Sequence, residues 1–220
     1  MRNIRSILRK EVRLSTLPIV FFFALFGLMF LLPGYPVLCG AFFLTLGLYQ
    51  NFKYARECND LVFSVLLPIA KKDVVKGKFA LACLAELLSF ALMLVSVLVR
   101  MTVLSDSPVY RENALMNANL FALGVALVLF GIFNLVFIGG FFKTGYKTGK
   151  PFILYMMISF LVINVSEALH HFPGMEALNA FGFDSICLQA GTLAAGVVCC
   201  AGLTAFSCAV SCRRFEKIDL

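Results

Sequence analysis

Charge is scarce in this chain. Asp, Glu, Lys and Arg together make up 14% of its 220 residues, against about 25% in soluble globular domains. Hydrophobic residues make up 61%. That combination excludes a disordered chain, which needs high charge and low hydrophobicity. It also excludes an ordinary soluble domain, because one small core cannot hide so much apolar surface. Histidine is scarcer still: only His170 and His171 occur. Neighbours on a helix point about 100° apart and rarely share a ligand site, so no metal site is expected there. The eight Cys form neither a disulfide framework nor a paired C-x-x-C pattern, and most lie in apolar runs, where Cys acts as a small hydrophobe. No H-E-x-x-H and no G-x-S-x-G occurs. A P-loop needs G-x-x-x-x-G-K-[ST]. Gly149-Lys150 fails that pattern twice, with Thr144 at the first glycine position and Pro151 after the lysine. The sequence therefore offers no catalytic residue, and no nucleotide, cofactor or metal of its own.

What is present is a series of long apolar runs. A spanning helix needs about 20 mostly apolar residues, and six segments reach or approach that: 17–32, 35–49, 79–99, 120–142, 152–168 and 187–210. The expected fold is an all-α integral membrane protein with six transmembrane helices in one domain, 1–220. The second run is short, and 14–52 can also be read as one broken, re-entrant pair. Basic residues set the orientation. Of the 19 Lys and Arg, only Arg100 and Arg111 fall on one side. The other 17 lie in the N-terminal stretch, the 50–78 and 143–150 loops and the C-terminal tail. Both termini are expected in the cytoplasm, and the net charge of +7 is a membrane-topology signal, with no nucleic-acid partner implied.

The first 15 residues carry a basic stripe (Arg2, Arg5, Arg9, Arg13) beside an apolar one (Ile4, Ile7, Leu8). This predicts an amphipathic helix on the membrane surface. No small-residue cleavage pattern follows the apolar run, so it does not read as a removable signal. The 50–78 loop holds the other amphipathic pattern. Glu57, Asp60 and Ser64 share one helical face, and Leu61, Val62, Val65 and Leu66 share another. Pro68 then stops the helix, and a cationic turn leads into the third run.

The segment Leu66-Leu67-Pro68-Ile69-Ala70-Lys71-Lys72-Asp73-Val74-Val75-Lys76-Gly77-Lys78-Phe79 resembles the turn after the second span of small type-2 ABC exporter permeases. Phe142-Lys143-Thr144-Gly145-Tyr146-Lys147-Thr148-Gly149-Lys150 resembles the turn between their fourth and fifth spans. With the basic N-terminal helix and the six-run layout, the resemblance covers essentially the whole chain. Ala70 stands where the family often has Ser, and Lys71 and Lys150 where Arg is common, which removes a side-chain cap and two bidentate forks. The resemblance implies a permease subunit, itself not an enzyme, moving a peptide or amphiphile outward across a bacterial plasma membrane. Energy would come from two copies of a separate ATPase subunit holding ATP and Mg, and a second or sister permease would complete the transporter. It implies a coupling helix in the 50–78 loop, with Glu57, Asp60, Leu66, Pro68, Lys71 and Lys72 as ATPase contacts. It also implies a capping or re-entrant outer segment at 166–186.

Three polar residues lie within the runs. Glu86 is the one deep charge, and a carboxylate there costs roughly 2.5–3.5 kcal/mol on insertion scales. It is therefore expected to face a partner, a cavity or a translocation path, or to be a hydrogen-bonded packing residue. Asn134 and Asn164 are weaker candidates for the same path or interface, with interhelical hydrogen bonding the plainer expectation. Small residues at Gly191, Ala195 and Cys199, and at Gly124 and Gly131, would let helices approach closely, within the subunit or at a dimer seam. The loop 100–117 is expected to be short and solvated. Two other functions remain open at this level. A self-contained secondary transporter or channel should show inverted repeats and several intramembrane charges, and a non-transport scaffold or sensor subunit could share the layout.

Overall fold

The computed structural model describes residues 2–66, 69–105, 107–111, 115–144, 147–169 and 171–218. Pro68, Gly145, Tyr146 and His170 lie outside the described residues. Every regular element among the described residues is helical. Helix α1 (Arg2–Lys10) runs on through a π-helical turn, Glu11–Ser15. A break at Thr16-Leu17 follows, then α2 (Pro18–Ala24), continued as a 3-10 helix over Leu25–Leu31. Pro18 suits that start, because proline at the first helical position forfeits an N–H that has no partner there anyway. The two segments on either side of the break meet at 94°. Helix α3 (Cys39–Glu57) returns antiparallel, then come α4 (Asp60–Leu66), α5 (Lys71–Thr102) and the single turn α6 (Pro108–Arg111). Asn59, at φ 52°, makes the left-handed corner between α3 and α4, a conformation asparagine tolerates better than most residues.

Helix α7 (Leu120–Ile132) passes through a π-helical stretch, Phe133–Ile138, into α8 (Gly139–Lys143). The Asn119 side chain caps its start by accepting from Ala122 N at 3.0 Å, as an N-cap residue should. Helix α9 is Gly149–Leu169 and α10 is Ile186–Phe215.

Four helical stretches among the described residues are long and apolar enough to cross a membrane: 71–102, 120–143, 149–169 and 186–215. A fifth is reached only if the bent pair 6–15 and 18–31 counts as one. The later four runs are thus present with extended ends. The first is only 14 residues of helix, Pro18–Leu31, about 20–25 Å at α or 3-10 rise, short of a hydrocarbon core of about 30 Å. The run expected at 35–49 becomes a helix displaced toward the loop: it starts at Cys39 and carries Lys53, Arg56 and Glu57 in its last turns.

Helix α10 is inside-out by soluble standards. The buried residues of α10 are Gln189, Gly196, Ser207, Ser211 and Phe215, mostly polar or small, while Val198 and Phe206 are exposed. Lipid is as apolar as leucine, so packing within a bilayer is left to small and hydrogen-bonding side chains. Helices α7 and α10 approach backbone to backbone. A Cβ placed on Gly196 would stand 2.5 Å from the Gly124 carbonyl oxygen, and one on Gly131 would meet the Cys200 Cα at 3.0 Å. Gly124 and Gly131 therefore do line a close approach within the subunit. Their partner row is Gly196 and Cys200, one position along from the expected row: Gly191 faces open space and Ala195 is exposed. An i, i+4 pattern of small residues names a stripe but not which of two adjacent stripes faces inward.

At the end of α5 away from Lys78, Arg100 is buried, not solvated. Its Nη1 donates to the Phe30 carbonyl at 3.1 Å and its guanidinium lies 4.7 Å from the Tyr110 ring centroid. Met116, Asn117, Ala118 and Asn119 are buried as well. They are zipped to the last turn of α9 and the segment after it: Met116 N donates to Glu167 Oε1 at 2.6 Å, Asn117 N to Asn179 Oδ1 at 2.6 Å, and Asn119 Nδ2 to the Leu178 carbonyl at 2.8 Å. Among the described residues of 166–186, the regular structure between α9 and α10 is one 3-10 turn, Glu176–Asn179.

Candidate functional site

Two polar clusters stand out, one at each end of a short stretch of α5. The first joins α1, α4 and α5. Lys78 Nζ lies 2.6 Å from Asp60 Oδ2 and 2.6 Å from Glu11 Oε2. Lys10 Nζ lies 2.6 Å from Asp60 Oδ1, 2.7 Å from Ser64 Oγ and 3.2 Å from Glu11 Oε1. Ser15 Oγ donates to Asp60 Oδ1 at 3.1 Å. Lys78 and Glu11 are 1% exposed, so two ammonium groups and two carboxylates alternate in a nearly closed ring. Burial pushes the Asp60 carboxyl upward, but Lys78 and Lys10 outweigh it and hold it below the usual carboxylate range. Burial likewise disfavours the charge on Lys10, yet Asp60 and Glu11 hold that ammonium above its ordinary value. The α1 helix can reach this ring because Gly77 admits Ile7: a Cβ on Gly77 would stand 2.5 Å from Ile7 Cγ2.

The ring decides which way α4 faces. Asp60, Leu61 and Ser64 turn inward, while Val62, Phe63 and Leu66 are exposed, Leu66 at 80%. The sequence expectation put Leu61, Val62 and Leu66 on one face. The structure divides them, because the two lysines draw the polar side of α4 toward the protein and leave apolar residues outside. Of the expected ATPase contacts, Asp60 is thus engaged internally. Glu57 belongs to the last turn of α3, not to α4, and its exposed side chain lies 3.9 Å from Lys53. Leu66 and Lys72 are exposed, and Lys71 is half-buried and donates to the Ile218 carbonyl at 2.7 Å. Pro68 is among the residues not described.

The second cluster is eight residues further along α5, about 12 Å at 1.5 Å per residue. Glu86 Oε2 accepts from Asn134 Nδ2 at 3.0 Å, and the same nitrogen donates to Thr204 Oγ1 at 2.9 Å. Asn134 sits in the π-helical part of the 120–143 helix. Such widened turns free a backbone carbonyl and recur at functional sites. Here Ser207 Oγ donates to the Asn134 carbonyl at 2.7 Å, so α5, the π turn and α10 are tied at one level. Beside them is a cavity of about 540 Å³ whose walls include Phe79, Cys83, Glu86, Phe90, Cys200 and Thr204. Asn164, expected in the same role as Asn134, is elsewhere. It is exposed on α9, and its Nδ2 donates to the Phe160 carbonyl of its own helix at 2.7 Å.

Sequence reasoning singled out Glu86 and Asn134, which the structure brings together, and put Ser64 on one face with Asp60, but it gave no role to Lys10, Glu11 or Lys78. One signal was available: Glu11 is the only acid in the first 56 residues, set in an otherwise basic stretch. No cluster among the described residues has the composition of a metal site.

A model of the family described as "ABC-2 family transporter protein" matches residues 2–216 of the chain. No curated protein and no solved structure matches it.

Proposed function

Because this chain belongs to the ABC-2 transporter family, whose members are multi-pass membrane permeases that generally work with an ATPase partner, we propose that it is the permease subunit of an ATP-driven exporter. In this reading two copies of a separate ATPase subunit bind from the cytoplasm and hold ATP and Mg. A second copy or a sister permease supplies the other membrane half, and a peptide or amphiphile is moved outward across a bacterial plasma membrane. Six crossings with both termini cytoplasmic, the second formed by α3, remain the arrangement the distribution of Lys and Arg favours.

The observation that carries the reading is the outward face of α4. A seven-residue helix with Val62, Phe63 and Leu66 exposed is poorly covered in water, and a protein groove would bury it. Held by Asp60 and Ser64 to Lys10 and Lys78, α4 cannot tilt without moving α1 and α5. A push from the ATPase on α4 is then passed along α5 to Glu86, a lever made of one continuous helix. Lys72 and Leu66 remain contact candidates. Lys71 steadies the C-terminal tail instead.

The tagged chain purified from its native membrane in mild detergent should bring down a stoichiometric P-loop subunit. Phe63→Asp and Leu66→Asp, which alter only exposed positions, should lose that subunit while the permease still inserts and purifies. Charge reversal at Lys72 should weaken the association less. Undiminished association in Phe63→Asp/Leu66→Asp would remove α4 as the coupling helix. A chain that always purifies alone would favour a self-contained transporter.

A further inference from the structure

We propose that the cavity beside Glu86 is a binding site for a lipophilic primary amine, taken as its ammonium between α5, the π turn and α10. The cavity is about 540 Å³, within the range that holds a drug-sized molecule. Its walls are apolar or sulfur-bearing except for Glu86 and Thr204.

The polar end of the site is short of donors. Glu86 is 5% exposed, and its Oε1 has no hydrogen-bond partner; neither has Asn134 Oδ1, on the residue that donates to the other Glu86 oxygen. Thr204 already accepts from Asn134. Of the two residues with an orphaned acceptor only Glu86 lines the cavity, and an orphaned carboxylate oxygen on its wall calls for a ligand with several N–H donors and no acceptor of its own, which describes an ammonium. A carboxylate or phosphate would add acceptors to acceptors, and an alcohol would supply one donor without charge.

Access and depth narrow the ligand further. Leu87 and Val197 on the rim are exposed, so the cavity opens between α5 and α10 at the protein's outer surface. Glu86 is the sixteenth residue of the 32-residue α5, more than about 20 Å of helix from either end. A bilayer lipid keeps its headgroup at the interface and does not reach this level. A small amphiphile that has left the interface does. The proposal rests on the exporter reading only in treating the bound amine as cargo, since binding itself needs no ATPase.

The test uses the purified chain, with whatever subunits accompany it, in phosphatidylcholine nanodiscs. An alkyl chain with a free terminal ammonium and a dansyl group at its other end is the fluorescent probe, displaced by dodecylamine, dodecanol or dodecanoate at pH 7. Dodecylamine should bind at least tenfold tighter than the other two. Glu86→Gln keeps the shape and the acceptor for Asn134, and should abolish that preference while dodecanol binding stays. Ala201→Phe, which fills the cavity from α10, should weaken all three. Equal affinities for amine and alcohol in the unaltered protein would overturn the proposal, and that comparison needs no variant to fold. So would an undiminished amine preference in Glu86→Gln, or loss of amine binding when phosphatidylethanolamine replaces phosphatidylcholine, which would make this a lipid-headgroup site. Amine binding by a chain that carries no ATPase subunit would leave the site standing and sink the exporter reading. The converse result would do the reverse.

Discussion

Two acidic sites on α5 and its neighbours are answered in opposite ways. At the cytoplasm-facing end expected from the basic residues, Asp60 and Glu11 meet Lys10 and Lys78, and each charge has its counter-charge within 2.6–3.2 Å. At mid-helix, Glu86 has one amide donor and an oxygen without a partner. A closed ring of charges has nothing left to offer a ligand; its work is to fix three helices to one another. An incomplete set of donors in a cavity is the signature of a site that something else completes. The same residue type, a carboxylate, is structural in one place and receptive in the other because of what the fold puts within 3 Å of it.

The largest effect should come from opening the ring. Lys78→Met removes the nearer of the two counter-charges of Glu11, which is 1% exposed, and breaking a buried pair by removing one partner costs about 3–5 kcal/mol. The thermal midpoint in detergent should fall sharply, and Lys78→Met/Glu11→Met should recover much of it, since an apolar pair of similar volume is often as stable. If the double variant is no better than the single, the ring is not the closed unit described.

Next in size is the α7–α10 seam. Gly196→Val drives a side chain into the Gly124 backbone, at a cost of about 1–3 kcal/mol or more for overpacking. Gly191→Val, in open space, should change the midpoint little. Equal losses at the two positions would place the seam wrongly.

A smaller contrast separates the two asparagines. Asn134→Leu removes the only hydrogen-bond donor to Glu86 found among the described residues, a loss of about 1–3 kcal/mol. Asn164→Leu, exposed and bonded to its own helix, should stay within about 0.5 kcal/mol.

The smallest effect is with pH. The Asp60 carboxyl is held below its ordinary value by Lys78 and Lys10, so its contribution is full above about pH 4 and is lost as pH falls through the lowered value. The Lys10 ammonium is held above its ordinary value by Asp60 and Glu11, so its share is full below about pH 10 and is lost above that. Hydrogen exchange in α1, corrected for its intrinsic pH dependence, should report the same protection from pH 5 to pH 9. A loss of protection near neutrality would point to a titrating group outside the ring.

How much of this was legible beforehand depends on the residue. Four of the apolar runs became helices with ends moved outward, because hydrophobic length survives any packing. The first two did not keep their expected limits, since Pro18, the 3-10 turn and the corner at Asn59 set where those helices begin and stop. Glu86 was conspicuous as a lone charge in an apolar run, and Asn134 as its weaker companion. Lys78 was hidden in what read as a cationic turn, and nothing in its spacing from Glu11 or Asp60 suggested contact across 67 and 18 positions. Leu61 was grouped with Val62 and Leu66 for a related reason: periodicity sorts residues into stripes, and only packing turned Leu61 inward beside Asp60 and Ser64 while Val62 and Leu66 stayed exposed.

Composition, run length and the distribution of Lys and Arg were sufficient by themselves for a multi-pass helical membrane protein with a strong charge asymmetry, because transfer of apolar length and of charge into a bilayer is nearly independent of neighbours. Only the tertiary structure decided which carboxylates were neutralised, which small residues formed the seam, and that Glu86 faces a cavity short of donors. Those outcomes depend on side chains far apart in sequence meeting within hydrogen-bond distance, and a one-dimensional pattern does not record such meetings.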